Sequence, residues 1–235
     1  MRYQIQQICK NTFLVESDSQ YEISSMFMRP QEYYESPFNN IRGKYFSVEE
    51  YMDTYAKENG SFTYLTDWCG FNIPSDSFKN FFETFSYDLT RKERILFQMV
   101  NGMRPNLKDE FYIIGACKQK KNKITIAHEI AHANWFLYPE YKEKMIELTK
   151  EIPTYLYEDA YYSLKNFGYF DSMIDDEIQA YMATAPRKDL LGHFGWSKHP
   201  NLRIPLAIKK YYEEFNLKNI PVTLRTKLLD KKAEK

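Results

Sequence analysis

Residues 128–132 read His-Glu-Ile-Ala-His, which places two imidazoles one helical turn apart with a carboxylate between them. Side chains four residues apart lie on the same face of a helix, so His128 and His132 can both reach one metal ion. Glu129 lies about 100° further round the helix, where it can contact a water molecule on that metal. The spacing therefore predicts a metal centre with a carboxylate beside it.

The residues on either side of this motif predict a strand followed by a helix. Residues 111–117 (FYIIGAC) form a short apolar and aromatic run, and a lysine-rich link at 118–123 leads into a helical pattern that begins near Ile124. Pro139 ends that helix. A buried stripe is predicted roughly 100° from the histidine face, at Ile126, Ile130, Ala133 and Leu137.

Patterns along the rest of the chain predict a mostly helical α+β fold with a small sheet beside the motif helix. The first 45 residues are expected to be irregular, with short strands at 3–8 and 12–16 and an aromatic loop that contains Pro30 and Pro37. Ser47 with Glu50, and Thr90 with Glu93, are capping-box patterns that open helices. Further helices are predicted at 75–88, 140–151, 153–166, 175–184 and 204–215.

A catalytic zinc ion takes three protein ligands and leaves a position for water, so a third ligand is needed. Glu177 is one candidate, because it follows two aspartates suited to a helix N-terminus and precedes Ala180, which lets two helices approach closely. Glu151 is the other candidate, with 18 residues between it and His132. Pro153 implies a helix boundary near Glu151, and we therefore favour Glu177.

The HExxH motif and the Glu177-x-x-Ala180 pattern together resemble the gluzincin peptidases, the thermolysin-like branch of the zincins. The resemblance covers about residues 111–183. It implies that His128 and His132 are zinc ligands, that Glu129 is the general base and that Glu177 is the third ligand. The spacing of Glu151 resembles the aminopeptidase branch of the same clan. The metzincin pattern HExxHxxGxxH is absent, because Trp135 and Tyr138 occupy its glycine and histidine positions.

This ligand set predicts hydrolysis of an amide bond. Zinc lowers the pKa of a bound water to near 7 and polarises a carbonyl, and a neighbouring carboxylate takes the proton. Many such enzymes also use a Tyr or His to stabilise the oxyanion. His193, flanked by glycines, is the first candidate for that role, and Tyr181 and His199 are the others. Asp176 could instead accept a hydrogen bond from a ligand imidazole.

Composition gives further expectations about partners and compartment. The net charge is zero and the pI is about 6.9, so neither nucleic acid nor an anionic membrane is an expected partner. The 3 cysteines lack metal-ligand or disulfide-framework spacing, which indicates free thiols. No N-terminal apolar region resembles a signal peptide, and a cytoplasmic protein is expected, with export by a signal-independent route left open.

The predicted function is that of a zinc metallopeptidase acting on a peptide or protein substrate. An N-terminal subdomain of unknown role at 1–110 is expected to pack on a zincin-like catalytic core at 111–229, followed by a charged tail at 230–235. The alternative is a zincin-fold protein that binds a partner or senses a signal with little or no turnover. A closed structural zinc site is the least favoured, because the sequence does not supply the additional Cys or His ligands.

Overall fold

A computed structural model of the protein describes residues 3–68, 70–103, 109–118, 123–199 and 206–219. The chain forms two compact units. Unit 1 comprises Met1–Gln7 and Asn11–Ile126, and unit 2 comprises Ile8–Lys10 and Ala127–Lys235. The described residues are mostly helical with one small mixed sheet, so the predicted α+β class is confirmed. None of the helices in the described ranges is long and apolar enough to cross a membrane.

The sheet has the strand order β1-β2-β4-β3 in the described part of the chain. Its strands are β1 (Tyr3–Cys9), β2 (Thr12–Ser17), β3 (Gly70–Pro74) and β4 (Tyr112–Cys117). β4 pairs in parallel with β2 and antiparallel with β3. A strand that is paired on both edges and covered on both faces is typically a continuous apolar run, and every residue of β4 is buried. The apolar run at 111–117 thus correctly predicted this strand.

The helices of unit 1 pack around an aromatic core. They are α1 (Gln20–Glu35), α2 (Val48–Asn59), α3 (Tyr64–Asp67), α4 (Ser75–Thr84) and α5 (Arg91–Met103). Both predicted capping boxes are present. Ser47 Oγ accepts from the Glu50 amide and the Glu50 carboxylate accepts from the Ser47 amide, and the same exchange joins Thr90 and Glu93.

Helix α1 corrects the expectation that the first 45 residues are irregular. It begins after Ser19, whose side chain accepts from the Glu22 amide, and it continues through Pro30. Proline lacks an amide hydrogen and normally interrupts a helix interior. Met26 and Phe27 are fully buried in the core of unit 1. Tertiary packing of this apolar face therefore outweighs the local cost of the proline.

The boundary between the two compact units lies after Ile126. The reason is that β4 pairs with strands of unit 1 on both sides and cannot be separated from them. The motif helix α6 (Lys123–Leu137) begins in unit 1 and continues into unit 2. The packing of the sheet beside this helix, and of an N-terminal subdomain on a catalytic core, stays a prediction. The charged tail lies outside the described residues.

Unit 2 consists mainly of helices around a second apolar core. Besides most of α6 they are α7 (Pro139–Thr149), α8 (Thr154–Asn166), α9 (Asp171–Thr184), α10 (Arg187–His193) and α11 (Ala207–Asn219), with a short 3-10 turn at Trp196–Lys198. Helix α9 packs against α7, α8 and α11. Half of the residues of α9 are buried, as expected for a helix that packs on several others. Two of the buried residues, Glu177 and Gln179, are polar.

Three sequence expectations about unit 2 were wrong in detail. Helix α9 begins at Asp171, so Asp175 and Asp176 lie in its second turn and not at its N-terminus. The glycines at 192 and 195 predict a loop over residues 192–200, but Gly192 and His193 lie in α10, because Leu190 is buried and holds a short helix against the core. Of the predicted apolar stripe in α6, Ala133 is fully buried as expected, whereas Ile126, Ile130 and Leu137 are only half-buried.

Candidate metal centre

The two histidines of the motif face each other along one side of α6. His128 Nε2 lies 3.1 Å from His132 Nε2, and the ring centroids are 4.7 Å apart. Their spacing of four residues places the rings on successive turns of the same helix face. His132 is 5% exposed and His128 is half-buried, so the pair opens to solvent at the His128 side.

Glu177 on α9 supplies a carboxylate to both imidazoles. Its Oε2 lies 3.6 Å from His128 Nε2, and its Oε1 lies 3.5 Å from His132 Nε2. One potential ligand atom from each of the three residues lies within 4.8 Å of the other two. Ala180, one helical turn further along α9, is fully buried in the core of unit 2. The sequence argument for Glu177 therefore selected a residue that the fold brings to the histidines.

The spacing of these atoms fits one tetrahedral metal ion. Two ligand atoms that each lie about 2.0–2.1 Å from a tetrahedral zinc ion are separated by roughly 3.3 Å. The separations here, 3.1 Å between the imidazoles and 3.5 and 3.6 Å from each imidazole to a different oxygen of the Glu177 carboxylate, scatter around that value. In addition, Glu177 Oε2 is buried and makes no hydrogen bond to any described residue. A buried carboxylate oxygen without a donor is costly, and a cation would compensate for it.

Three further polar side chains form a hydrogen-bonded chain on the Nδ1 side of His132. Its Nδ1 lies 3.0 Å from Asp176 Oδ1. The Gln179 amide donates to the same Asp176 oxygen at 2.9 Å, and the hydroxyl of Tyr141 donates to Gln179 Oε1 at 2.9 Å. The suggested role of Asp176 as a hydrogen-bond acceptor for a ligand imidazole thus agrees with its position.

The carboxylates around the histidines make the site strongly negative. Burial by itself lowers the pKa of His132, but Asp176, Glu177 and Glu129 outweigh burial and hold that pKa well above its usual value. Burial raises the pKa of Glu177, whereas the charges of His132 and His128 lower it, and the net pKa lies below the usual value. Negative surroundings that stabilise a protonated imidazole also stabilise a bound divalent cation. Binding of the cation then releases the imidazole proton.

Glu129 lies in the same negative cluster. Its side chain is 7% exposed, although it follows His128 directly on α6. Burial raises the pKa of Tyr181, and the carboxylates of Glu177 and Glu129 raise it further. The Glu129 carboxylate also raises the pKa of His132, so its charge acts on residues of both α6 and α9.

His193 and Tyr181 extend the site as a stack of rings. Tyr181 contacts His128 with a centroid separation of 4.6 Å, His193 stacks on Tyr181 at 4.2 Å, and Phe167 stacks on His193 at 4.7 Å. Burial lowers the pKa of His193, the Glu177 carboxylate opposes this effect and the charge of His128 adds to it, so that the net pKa is below the usual value. His193 Nε2 is buried and bonds to no described residue.

Two other candidates lie apart from the cluster. Glu151 is exposed, just beyond the end of α7, and it is not among the grouped metal-ligating atoms of the described residues. His199 Nε2 lies 3.0 Å from Asp159 Oδ2, and its ring contacts Tyr155, which is half-exposed. The fold thus brings Glu177 and His193 to the histidines of α6, and it places Glu151 and His199 elsewhere in unit 2.

Sequence reasoning missed Gln179 and Tyr141. Gln179 is fully buried and lies three residues after Asp176, a spacing at which two side chains of a helix meet. That spacing was a usable signal once Asp176 was suspected. Nothing in the sequence pairs Tyr141 with Gln179, because they lie on different helices 38 positions apart.

Comparisons of the chain with protein-family models, with curated proteins and with solved structures find no match.

Proposed function

We propose that the protein is a zinc-dependent peptidase, with a zincin-like catalytic core of gluzincin type in unit 2 and a peptide or protein as substrate. One observation carries the proposal. One potential ligand atom from each of His128, His132 and Glu177 lies within 4.8 Å of the others, and Glu129 follows His128 directly on α6 and adds its negative charge at His132. Two imidazoles and one carboxylate favour zinc, and three protein ligands leave a fourth tetrahedral position open.

A zinc ion held by these three residues would polarise a substrate carbonyl and acidify a water molecule. The protein's own residues supply the proton transfer. Glu129 is the proposed general base, which takes a proton from water and passes it to the departing amine. Its burial strengthens this role, because charges interact more strongly where water is largely excluded.

Two side chains are placed to stabilise the oxyanion that develops on the carbonyl oxygen. His193 has a lowered pKa, so it is neutral at pH 7 and can donate through a ring N–H. Tyr181 has a raised pKa and keeps its hydroxyl proton. The Tyr181 ring contacts His128, and the His193 ring stacks on Tyr181. Asp176 and Gln179 instead lie on the Nδ1 side of His132.

A peptide-library digest tests the proposal. Zinc-loaded wild type is expected to cleave a diverse library, with cleavage positions read by mass spectrometry. Glu129→Gln is expected to retain zinc and to cleave at least about 100-fold more slowly, because an amide cannot accept the proton from water. Glu143→Gln is the matched control, since Glu143 is exposed on α7.

The outcomes separate the proposed function from its alternative. Equal cleavage by wild type and Glu129→Gln would remove Glu129 as the base and point to a contaminating peptidase. Zinc binding without cleavage of any library peptide would reject peptidase activity on such substrates. That result would favour a zincin-fold protein that binds a partner or senses a signal with little turnover.

A further inference from the structure

A chain of three hydrogen bonds runs from the core of unit 2 to a ligand histidine. The Tyr141 hydroxyl donates to Gln179 Oε1, Gln179 Nε2 donates to Asp176 Oδ1, and this oxygen lies 3.0 Å from His132 Nδ1. Tyr141 and Gln179 are both fully buried. Neither residue touches the three ligand atoms.

The chemistry of the groups sets the direction of every bond in this chain. An ionised aspartate only accepts, so the Gln179 NH2 group must face Asp176 and its carbonyl must face the Tyr141 hydroxyl. The reverse orientation of the amide would set its carbonyl oxygen against a carboxylate. Because Asp176 Oδ1 also faces His132, the His132 Nδ1 must carry a proton and donate it.

That direction fixes which nitrogen of His132 is available to a metal. When the neutral ring keeps its proton on Nδ1, its lone pair is on Nε2, the atom that faces His128 Nε2 and Glu177 Oε1. A hydrogen-bonded Nδ1 also limits rotation of the ring about its χ2 angle. Asp176 can enforce both effects only if its own carboxylate is held in place, and the Gln179 amide holds it.

Burial of Gln179 is otherwise hard to explain. The core of unit 2 is built of apolar residues, among them Ile178 and Met145, and a buried Leu or Met of similar size at position 179 would avoid the cost of desolvating an amide. The two hydrogen bonds of Gln179 lead only to Tyr141 and to Asp176. The polar side chain therefore links Tyr141 in the core to Asp176 beside the candidate metal site.

We propose that Gln179 and Tyr141 are positioning residues of the metal centre, which act on His132 through Asp176. This inference rests on the proposed zinc site. It assigns to α7 and to the buried face of α9 a part in metal affinity that the motif on α6 does not reveal.

Zinc affinity, measured by competition with a chromophoric chelator, tests the inference. Gln179→Met removes both hydrogen bonds and keeps the volume, and it is expected to weaken zinc binding roughly 10- to 100-fold. Tyr141→Phe removes one hydroxyl, leaves the fold least disturbed and is expected to weaken binding by a smaller factor. Tyr212→Phe is the matched control, because Tyr212 is a buried tyrosine of the same core whose hydroxyl donates to the Ala127 carbonyl.

A spectroscopic measurement separates positioning from general stability. In zinc-loaded wild type, NMR of the imidazole nitrogens is expected to show a protonated, slowly exchanging Nδ1 on His132. In Gln179→Met this proton should exchange faster, while Tyr212→Phe should retain the wild-type signal even if it unfolds more easily.

Wild-type zinc affinity and an unchanged Nδ1 signal in both Gln179→Met and Tyr141→Phe would overturn the inference and leave the proposed function intact. Failure of the wild type itself to bind zinc would overturn both. Glu177→Ala distinguishes these results, because its loss of binding establishes the site independently of Gln179.

Discussion

Asp176 and Glu177, consecutive residues of α9, face the two nitrogens of one imidazole, that of His132. Asp176 Oδ1 lies 3.0 Å from Nδ1, and Glu177 Oε1 lies 3.5 Å from Nε2. Neighbouring side chains on a helix diverge by about 100°, so they can meet opposite edges of a ring inserted between them. One short segment of α9 therefore supplies both a candidate ligand and the group that orients another ligand.

The third ligand can be decided by two alanine variants. Glu177→Ala is expected to weaken zinc affinity by more than roughly 100-fold, because loss of a direct ligand exceeds the cost of losing an outer partner. Glu151→Ala should bind zinc as wild type does, since Glu151 is exposed beyond the end of α7. Chelator competition measures both. A reversed order would assign the third ligand to Glu151, and normal binding by both would direct the search to His193.

Metal content tests the histidine pair. Purified wild type is expected to hold about one zinc ion per chain and the double variant His128→Ala, His132→Ala to hold none. Elemental analysis gives the number and the identity of the metal. Free zinc at 100 times its dissociation constant should add about 2.7 kcal/mol to the stability of wild type and nothing to that of the variant. Equal metal content in both proteins would mean that these histidines do not hold it.

The residue that stabilises the oxyanion can be identified by comparing His193→Gln with Tyr181→Phe. Loss of the true donor is expected to lower kcat by roughly 100-fold or more, with zinc content unchanged. The other variant should lose less than about 10-fold, because it alters only the ring stack beside His128. Steady-state kinetics on a peptide identified in the library digest provides the comparison. If neither variant lowers kcat, the donor is another group.

Unit 1 contains a buried carboxyl group that should make its stability depend on pH. Glu32 is 8% exposed, and burial raises its pKa above the ordinary value even though the side chains of Ser36, Tyr64 and Tyr51 act to lower it. The folded protein therefore retains this proton more tightly than the unfolded chain. The resulting stability is complete below the ordinary Glu pKa and is lost as pH rises through the raised value.

Urea unfolding at several pH values checks this expectation. For the wild type, the free energy of unfolding of unit 1 should fall as pH rises above the ordinary Glu pKa, whereas for Glu32→Gln that component should vanish. Glu58→Gln, at an exposed position of α2, should retain the wild-type dependence. A Glu32→Gln curve parallel to that of the wild type would show that another group is responsible.

Gly115 in β4 should not tolerate a methyl group. A Cβ at this position would lie 2.8 Å from Cε2 and Cζ of Phe27, and the ring has no space to retreat because Phe27 is fully buried. Gly115→Ala is expected to destabilise unit 1 by roughly 1–3 kcal/mol. Gly102→Ala in α5 meets nothing within 4 Å and should be neutral or stabilising by up to about 1 kcal/mol. Equal stability of the two variants in urea would contradict the close contact.

The sequence by itself determined the features that depend on local spacing. Two histidines four residues apart on one helix must share a face, so the close approach of His128 and His132 followed from the motif alone. The capping boxes at Ser47 and Thr90 located two helix starts, because the bonds that define them join residues three apart. The apolar run at 111–117 indicated a buried strand for the same local reason.

Only the tertiary structure decided which distant groups join the histidines. Glu151 and Glu177 were both possible third ligands in sequence, and the packing of α9 brings Glu177 to the pair while Glu151 remains exposed. The link from Tyr141 to Gln179 likewise depends on contact between two helices. Helix α1 continues through Pro30 because buried side chains hold it. Such effects arise from contacts between residues far apart in the chain, which no local pattern records.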